Sequence, residues 1–413
     1  MVLENFDVLL DKYANLLMTK GLNVSTDDYV LINAEIEQAP LVRLMTQHAY
    51  QLGAKHVKVN WTDTAISILG YQHQSVETLT DIPEYRVAES KYDIETRAKR
   101  IALRSANPNA LKDIAPEKLA AASKAASLAF SEQRIASQAN VMSWLVCAAA
   151  GQEWAALVFP ELESSEAQVD ALWDQIFKTT RVYEEDPVAA WETHEATLNE
   201  KADFLNEKQF DSLHYTAPGV DFTVGLPLNH VWESAGSTNQ QGEIFIANMP
   251  TEEVFTAPDF RRADGIIKSS KPLSYNGVVI RDMTFKFKDG EIIEVSAAEG
   301  EATLKTLIEN NEGARSLGEV ALVPHSSPIS QSNITFFNTL FDENASNHLA
   351  IGQAYATSVQ NGTKMSQEEL KANGLNRSTV HVDFMVGNAE MNIDGITKDG
   401  ETFAIFRNGE WAF

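Results

Sequence analysis

The N-terminal part of the chain alternates between helical and strand-like hydrophobic patterns. From residue 4 to residue 20, apolar side chains recur every three to four positions, which predicts a helix that ends at Gly21. The alternation then continues with strand-like runs at 29–33, 57–61, 100–104 and 141–146 and with helical runs at 40–52, 117–136 and 166–179. Strands that alternate with helices predict an α/β domain with a largely parallel sheet.

After about residue 181 the pattern changes to short alternating runs that are separated by turn signals. Asn-Gly and Asp-Gly pairs occur at 275–277, 288–290, 398–400 and 407–409, and they flank runs such as 278–287. These pairs are typical of tight hairpins between antiparallel strands. An acidic stretch that ends in Pro187 marks the boundary, although the helical segment after it is a candidate bridge. We therefore predict an N-terminal α/β domain at 1–185 and a C-terminal α+β catalytic domain at 186–413.

Composition and charge exclude several classes of function. The 413 residues carry 33 Lys and Arg against 58 Asp and Glu, a net charge of −25 that phosphate backbones and anionic membranes repel. No stretch reaches the ~18 apolar residues of a membrane span, and from its acidic start we expect no signal peptide at the N-terminus. The single cysteine, Cys147, cannot form an internal disulfide, and we expect it in the core. We expect a cytoplasmic protein that binds neither nucleic acid nor membranes.

Familiar nucleotide and hydrolase motifs are absent from the sequence. The turn after the first strand has neither a Gly-x-Gly-x-x-Gly nor a P-loop pattern, so a dinucleotide or nucleoside triphosphate site is not predicted there. His194 and Glu195 begin a zinc motif, but Leu198 occupies the second ligand position. A serine nucleophile at Ser316 is not supported, because Ala314 replaces a glycine that the Gly-x-Ser-x-Gly motif requires.

The segment 379–386 is the most informative candidate for a site. On a strand, alternate side chains share a face, so His381 and Asp383 would lie together opposite an apolar face. An imidazole nitrogen and a carboxylate oxygen side by side could bind one metal ion. A surface strand with two hydrogen-bonded polar side chains explains the same pattern, and it is the favoured explanation for this segment taken alone.

A second candidate lies at 347–355, which we interpret as helical. On a helix, His348, Gly352 and Tyr355 fall at i, i+4 and i+7 on one face. The glycine would leave space for a ligand between the two polar side chains. The alternative is that Gly352 allows a close helix contact while the other two residues pack.

Two glutamates complete a possible cluster. Glu319 begins a strand-like run, and Glu253 follows a strand-like run and a turn. Both stand at the ends of elements, where functional sites tend to be built. Most acidic residues are simply solvated, and Glu252 beside Glu253 makes the local choice ambiguous.

Taken together, four ordered segments resemble a known family. The segments are Gly-Glu-Ile-Phe-Ile-Ala-Asn-Met-Pro-Thr-Glu-Glu-Val-Phe-Thr-Ala-Pro-Asp at 242–259, Gly-Ala-Arg-Ser-Leu-Gly-Glu-Val-Ala-Leu-Val-Pro at 313–324, Asn-His-Leu-Ala-Ile-Gly-Gln-Ala-Tyr at 347–355 and His-Val-Asp at 381–383. In order and spacing they are similar to the aminopeptidase T / AmpS / PepS family of bacterial metallo-aminopeptidases, in particular its PepS type. The resemblance covers essentially the whole chain.

The resemblance implies a ligand set and a partner. The residues that match the family's metal ligands are Glu253, Glu319, His348, His381 and Asp383. Tyr355 matches a tyrosine at the metal site that is either a ligand or a catalytic hydrogen-bond donor. The resemblance further implies two divalent metal ions per chain, zinc, cobalt or manganese, and a homodimer whose active sites face an internal cavity. Its substrates would be short peptides with a free N-terminus.

The residue types agree with hydrolysis at two metal ions. Five ligands are too many for one tetrahedral zinc site and suit a pair of ions about 3.5–4 Å apart. We expect a metal-bridging water to attack the peptide carbonyl, Glu253 or Glu319 to accept its proton, and Tyr355 to donate to the oxyanion. In an alternative arrangement, one of the two metal ions binds the free α-amine of the substrate. The leading hypothesis is a dinuclear metallo-aminopeptidase; the alternatives are another dinuclear metal amidohydrolase and a non-catalytic peptide-binding dimer.

Overall fold

The order of strands and helices agrees with the two hydrophobic patterns of the sequence, which are alternating helices and strands first and mainly short strands afterwards. The computed structural model describes residues 3–275 and 278–413, which include the elements below. The strands are β1 (Tyr29–Glu35), β2 (His56–Thr62), β3 (Lys99–Arg104), β4 (Trp144–Ala148), β5 (Ser212–Ala217), β6 (Val220–Gly225), β7 (Gly236–Thr238), β8 (Ile244–Ile246), β9 (Asn248–Met249), β10 (Val254–Thr256), β11 (Ala263–Lys268), β12 (Leu273–Tyr275), β13 (Val278–Ile280), β14 (Thr284–Lys288), β15 (Glu291–Ser296), β16 (Leu317–Leu322), β17 (His348–Gly352), β18 (His381–Met385), β19 (Asn392–Ile396), β20 (Thr402–Arg407) and β21 (Glu410–Trp411). The helices are α1 (Phe6–Leu16), α2 (Ala39–Gln51), α3 (Thr64–His73), α4 (Val76–Thr80), α5 (Glu84–Glu95), α6 (Pro116–Ala129), α7 (Ser131–Gln138), α8 (Gln152–Val158), α9 (Ser165–Thr179), α10 (Pro187–Lys208), α11 (Glu301–Asn310), α12 (Pro328–Ser332), α13 (Thr339–Asp342) and α14 (Gln367–Ala372).

Two compact units divide the chain. The first comprises Met1–His194 and Gly236–Pro250, and the second comprises Glu195–Ala235 and Thr251–Phe413. The point of division falls within α10. The domains 1–185 and 186–413 stay a prediction; the units differ from those ranges at residues 186–194 and 236–250.

The first unit is built on a parallel sheet with strand order β2-β1-β3-β4-β9. The pairings β1–β2, β1–β3, β3–β4 and β4–β9 are all parallel, which confirms the predicted α/β class of the N-terminal half. The apolar run Val30, Leu31 and Ile32 is buried, as expected for a strand covered on both faces. Tyr13 of α1 packs edge-to-face on Trp173 of α9 and donates a 2.8 Å hydrogen bond to the carbonyl of Ala148.

The second unit contains an antiparallel sheet with strand order β15-β14-β11-β6-β5-β19-β20-β21. The predicted hairpin turns at 288–290, 398–400 and 407–409 connect its neighbouring strands. The turn predicted at 275–277 lies partly outside the described residues. The alternating run 278–287 is divided, because the chain leaves the extended conformation at Asp282, where φ is 51°. It forms two strands, β13 and β14, in different sheets.

The second unit also contains a smaller antiparallel sheet with strand order β10-β16-β17-β18. Its strands carry four of the candidate site residues, Glu319, His348, His381 and Asp383. Its strand β17 corrects the prediction of a helix at 347–355. Leu349, Ala350 and Ile351 form a short, fully buried apolar run between two neighbouring strands. Such a run has no periodicity of its own, so pairing with its neighbours decides its conformation.

Together, the two units confirm the predicted fold class, an α/β half with a parallel sheet followed by an α+β half with antiparallel sheets. In the part of the chain that the structure describes, no helix combines the length and the hydropathy that crossing a bilayer requires.

Candidate metal centre

The register of the small antiparallel sheet places four candidate residues on one face. Ala321 of β16 lies opposite His348 of β17, and Glu319 lies opposite Ala350, which is in turn opposite Asp383 of β18. Opposed residues of antiparallel strands share a face, as do residues two apart on one strand. The face that holds Glu319 therefore also holds His348, His381 and Asp383.

Glu253 joins this face from the edge of the sheet. It directly precedes β10, whose Phe255 lies opposite Ala321. Because Glu253 is two residues before Phe255, extended backbone turns both side chains toward the same side. The main-chain N–H of the adjacent Glu252 donates a 2.8 Å hydrogen bond to Oδ1 of Asn344, which fixes the chain at this point.

The side chains meet in two groups that share one carboxylate. Nε2 of His348 lies 3.2 Å from Oε2 of Glu253 and 3.4 Å from Oε1 of Glu319. Nε2 of His381 lies 3.7 Å from Oε2 of Glu319 and 3.3 Å from Oδ1 of Asp383. In each group, three potential ligand atoms lie within 4.8 Å of one another. Glu319 contributes one oxygen to each group.

Backbone carbonyls orient both histidines. Nδ1 of His348 lies 3.1 Å from the carbonyl oxygen of Ser346, and Nδ1 of His381 lies 2.7 Å from that of Gln353. A carbonyl oxygen can only accept, so Nδ1 carries the proton in both rings. The Nε2 atoms consequently point at the carboxylates, which is the tautomer and orientation that metal-binding histidines adopt.

These residues fit a divalent metal ion. Nε2 of His348 and Oδ1 of Asp383 are buried, and their contacts with Glu253 (3.2 Å) and His381 (3.3 Å) lack hydrogen-bond geometry, so neither atom is hydrogen-bonded among residues 3–275 and 278–413. Buried polar atoms are normally hydrogen-bonded, so two such atoms at the same place call for another partner. Imidazole nitrogens and carboxylate oxygens are together suitable ligands for zinc, cobalt and manganese.

The electrostatics of the metal-free site show how strongly the charges are coupled. Burial, followed by repulsion from Asp383 and Glu253, raises the pKa of Glu319. Burial by itself would lower the pKa of His348, but its contacts with Glu253 and Glu319 raise that pKa well above its ordinary value. Burial opposes ionisation of Asp383 too, yet the two histidines lower its pKa. In the metal-free chain the histidines thus supply positive charge to the carboxylates.

Metal binding is expected to release protons. Burial would lower the pKa of His381, but Asp383 and Glu319 raise it to about 9. A metal ion must displace that proton, so apparent affinity should rise by up to about tenfold per pH unit between pH 7 and pH 9 from His381 alone. Calorimetric titration in buffers of different ionisation enthalpy counts the protons, and absence of proton release at pH 7 would contradict the expectation.

The same pKa shift predicts the pH dependence of stability without metal. A histidine whose folded pKa exceeds its unfolded value of about 6.5 stabilises the fold fully below that value. This contribution disappears as the pH rises through the folded pKa of His381, about 9. The melting temperature of metal-stripped protein should therefore fall between about pH 6.5 and pH 9, and saturating metal should reduce that dependence.

Tyr355 lies beside the site, after the end of β17. Its ring centroid is 5.1 Å from that of His381 and 6.4 Å from that of Phe255. The residue is 48% exposed, so one side of its ring remains accessible. Burial, and then the charges of Glu319 and Asp383, raise the pKa of Tyr355. The hydroxyl of the metal-free chain therefore keeps its proton and can act as a donor.

The predicted role of Gly352 as space for a ligand is wrong. Its φ is +107°, and an added Cβ would lie 2.2 Å from the carbonyl oxygen of Val380. The glycine lets β17 and β18 approach at the pair formed by Gly352 and His381. Nδ2 of Asn376 then donates a 2.8 Å hydrogen bond to the carbonyl of Gly352.

Two further acidic residues near the site were missed by the sequence analysis. Glu343 follows α13 in a 3₁₀ turn, where burial and then the charges of Glu253 and Asp383 raise its pKa well above the ordinary value. Glu233 forms an isolated bridge with Phe255. No local sequence pattern predicts Glu233 or Glu343 as a site residue. Each comes to the site because a pairing or a turn brings it near residues that are distant in sequence.

Comparisons with known proteins identify the family of the chain. The family model described as thermophilic metalloprotease (M29) matches residues 6–411. Aminopeptidase PepS of Streptococcus thermophilus is 57% identical over 411 residues, covering 100% of both chains. Aminopeptidase AmpS of Bacillus subtilis (strain 168) is 49% identical over 411 residues, again covering 100% of both chains.

A solved structure extends the likeness to the fold. The structure of wild-type AmpT from Thermus thermophilus matches with a TM-score of 0.92 at 37% identity, covering 99% of this chain and 100% of that one. The family resemblance predicted from the four ordered segments is confirmed, and so is the prediction of a metal-dependent hydrolase. The chain belongs to the M29 family of thermophilic metalloproteases.

Proposed function

We propose that the chain is an aminopeptidase that removes N-terminal residues from short peptides with the help of two divalent metal ions. The observation that supports two ions most strongly is the position of Glu319, which contributes one oxygen to each group of potential ligands. One ion would be held by Glu253, Glu319 and His348, and the other by Glu319, His381 and Asp383. The names of the similar proteins support the aminopeptidase activity.

The residues of the chain have separate roles in this proposal. Two divalent ions held by these residues would supply Lewis acidity and would lower the pKa of the water that attacks the peptide carbonyl. Glu253 or Glu319 accepts the proton of the attacking water and passes it to the leaving amine. Tyr355, with its protonated hydroxyl, donates a hydrogen bond to the developing oxyanion.

The role of Tyr355 leads to a specific expectation. Tyr355→Phe should reduce kcat by about 10²–10³-fold, the usual cost of a lost oxyanion donor, while KM and metal content change little. Steady-state kinetics combined with elemental analysis of dialysed protein would check this. Loss of one ion from Tyr355→Phe would instead make the hydroxyl a metal ligand.

On the family resemblance we propose a homodimer, and we propose that the protein is cytoplasmic and takes short peptides. Zinc, cobalt and manganese are the candidate ions, since each binds imidazole nitrogens and carboxylate oxygens.

The proposed activity is tested by hydrolysis of aminoacyl-p-nitroanilides and their N-acetylated counterparts. Metal-stripped protein is assayed with and without added Zn²⁺, Co²⁺ or Mn²⁺. We expect metal-dependent cleavage of the free-amine substrates alone. Equal cleavage of the acetylated substrates would favour a different dinuclear amidohydrolase, and no cleavage by folded, metal-loaded protein would favour a non-catalytic peptide-binding protein.

A further inference from the structure

One face of the small antiparallel sheet holds the candidate ligands Glu253, Glu319, His348, His381 and Asp383, and is called the metal-binding face below. Glu233 extends this face by one more position at the edge of the sheet. The main-chain N–H of Glu233 donates to the carbonyl of Phe255 at 2.9 Å, and the N–H of Phe255 donates back at 3.0 Å. This reciprocal bonding makes the two residues a directly opposed antiparallel pair. Since opposed residues share a face, the side chain of Glu233 lies on the same side as those of Phe255 and Glu253.

The carboxylate of Glu233 lacks a full set of partners. Its Oε1 is buried and has no hydrogen-bond partner within the described ranges, and no lysine, arginine or histidine there forms an ion pair with it. Thr357, two residues after Tyr355, supplies a hydrogen bond to the side chain. A buried carboxylate oxygen without a donor is costly, so a cationic group at this position would be strongly favoured.

Glu233 also differs from the other acidic residues of the site. Glu253, Glu319 and Asp383 each lie at ion-pair distance from a histidine nitrogen and belong to the groups that could hold metal. Glu233 faces neither histidine at such a distance, but it is close enough for Glu319 to add to the rise in its pKa that burial causes. It is therefore a carboxylate beside the reacting centre that is not required to hold metal.

We propose that Glu233 binds the α-ammonium group of the substrate. This inference rests on the proposed aminopeptidase function and specifies how a free N-terminus is recognised. An ammonium group donates three hydrogen bonds and carries the positive charge that the unpartnered oxygen lacks. An N-acetylated peptide has neither the positive charge nor the three donors of an ammonium group, so this contact would make the enzyme an exopeptidase.

The first test compares two inhibitors that differ only in the amine. L-leucine hydroxamate and its des-amino analogue, 4-methylpentanohydroxamic acid, are bound to the holoenzyme, and their dissociation constants are measured without turnover. We expect the wild type to prefer the amine by about 10–100-fold, as for a hydrogen bond to a charged group. Glu233→Gln should reduce that preference to about two-fold or less, with both metal ions retained. Glu390→Gln, at an exposed turn residue, is the control and should keep the wild-type ratio.

The second test needs no variant and therefore does not depend on the folding of Glu233→Gln. If Glu233 binds the charged ammonium, the preference of the wild type for the amine should decrease as the pH passes the amine pKa of about 8. If a metal ion binds the amine, the neutral form is needed and the preference should increase over the same range. An increase, or an unchanged ratio in Glu233→Gln, overturns the inference. A failure of the proposed aminopeptidase function would be seen in a different experiment, the p-nitroanilide assay, in which wild-type protein would not cleave the free-amine substrates.

Discussion

Replacing Glu319 with glutamine is expected to reduce kcat/KM for a peptide substrate by about 10³-fold or more, on the scale of losing a principal electrostatic group of an active site. The reason is that Glu319 is shared: one oxygen faces His348 and the other faces His381. An amide has one oxygen and no charge, so it cannot serve both groups. Elemental analysis after dialysis should show that Glu319→Gln retains less metal than any variant in which one group is affected.

Two variants provide the matched comparison. Glu253→Gln and Asp383→Asn each alter one of the two groups and leave the other intact. We expect each of them to lose about half of the bound metal, whereas Glu319→Gln should lose most of it. Circular dichroism should show native secondary structure in all three. Full activity of folded Glu319→Gln would remove this residue from the centre of the mechanism.

Replacing Gly352 with alanine is expected to lower the free energy of unfolding by about 3 kcal/mol or more, the sum of a strained φ and an overpacked contact. Its φ of +107° suits glycine, and the new Cβ would lie 2.2 Å from the carbonyl oxygen of Val380. Because Gly352 is paired with His381, relief of that clash must displace a candidate metal ligand. We therefore expect weaker metal binding together with the loss of stability.

Gly400 offers a control that separates the two causes. It has a similar φ of +83° but nothing within 4 Å of an added Cβ. Gly400→Ala should cost about 1–2 kcal/mol from backbone conformation alone and leave metal affinity unchanged. Guanidinium unfolding of metal-stripped protein measures both variants. If both variants lost the same free energy of unfolding, the contact of the new Cβ with Val380 would contribute nothing to the destabilisation at position 352.

The sequence predicted the part of the site that depends on local periodicity. Alternation along 379–386 placed His381 and Asp383 on one face, and β18 has that arrangement. The helix predicted at 347–355 was wrong because a short apolar run fits either conformation until its neighbours are known. The error did not separate His348 from the site. His348 and Gly352 are four residues apart, and an even spacing keeps two residues on one face of a strand as well.

Long-range pairing explains what the sequence could not show. Glu233 reaches the face that holds Glu253 and Glu319 through its bridge with Phe255, and no local pattern links those two segments. In the same way, Asn248 and Met249 add a parallel strand beside β4 in the first unit, although the sequence around them belongs to the second half of the chain. Local hydrophobic patterns predict strands, but they do not say which sheet a strand joins.

The most direct test of the central claim is a titration of metal-stripped protein with Co²⁺. Equilibrium dialysis measures the ions bound per chain, and hydrolysis of leucyl-p-nitroanilide is followed in the same samples. The shared position of Glu319 predicts saturation at two ions per chain and full activity only when both are bound. Full activity with one ion bound per chain, or two bound ions without cleavage of any free-amine substrate, would contradict a dinuclear aminopeptidase.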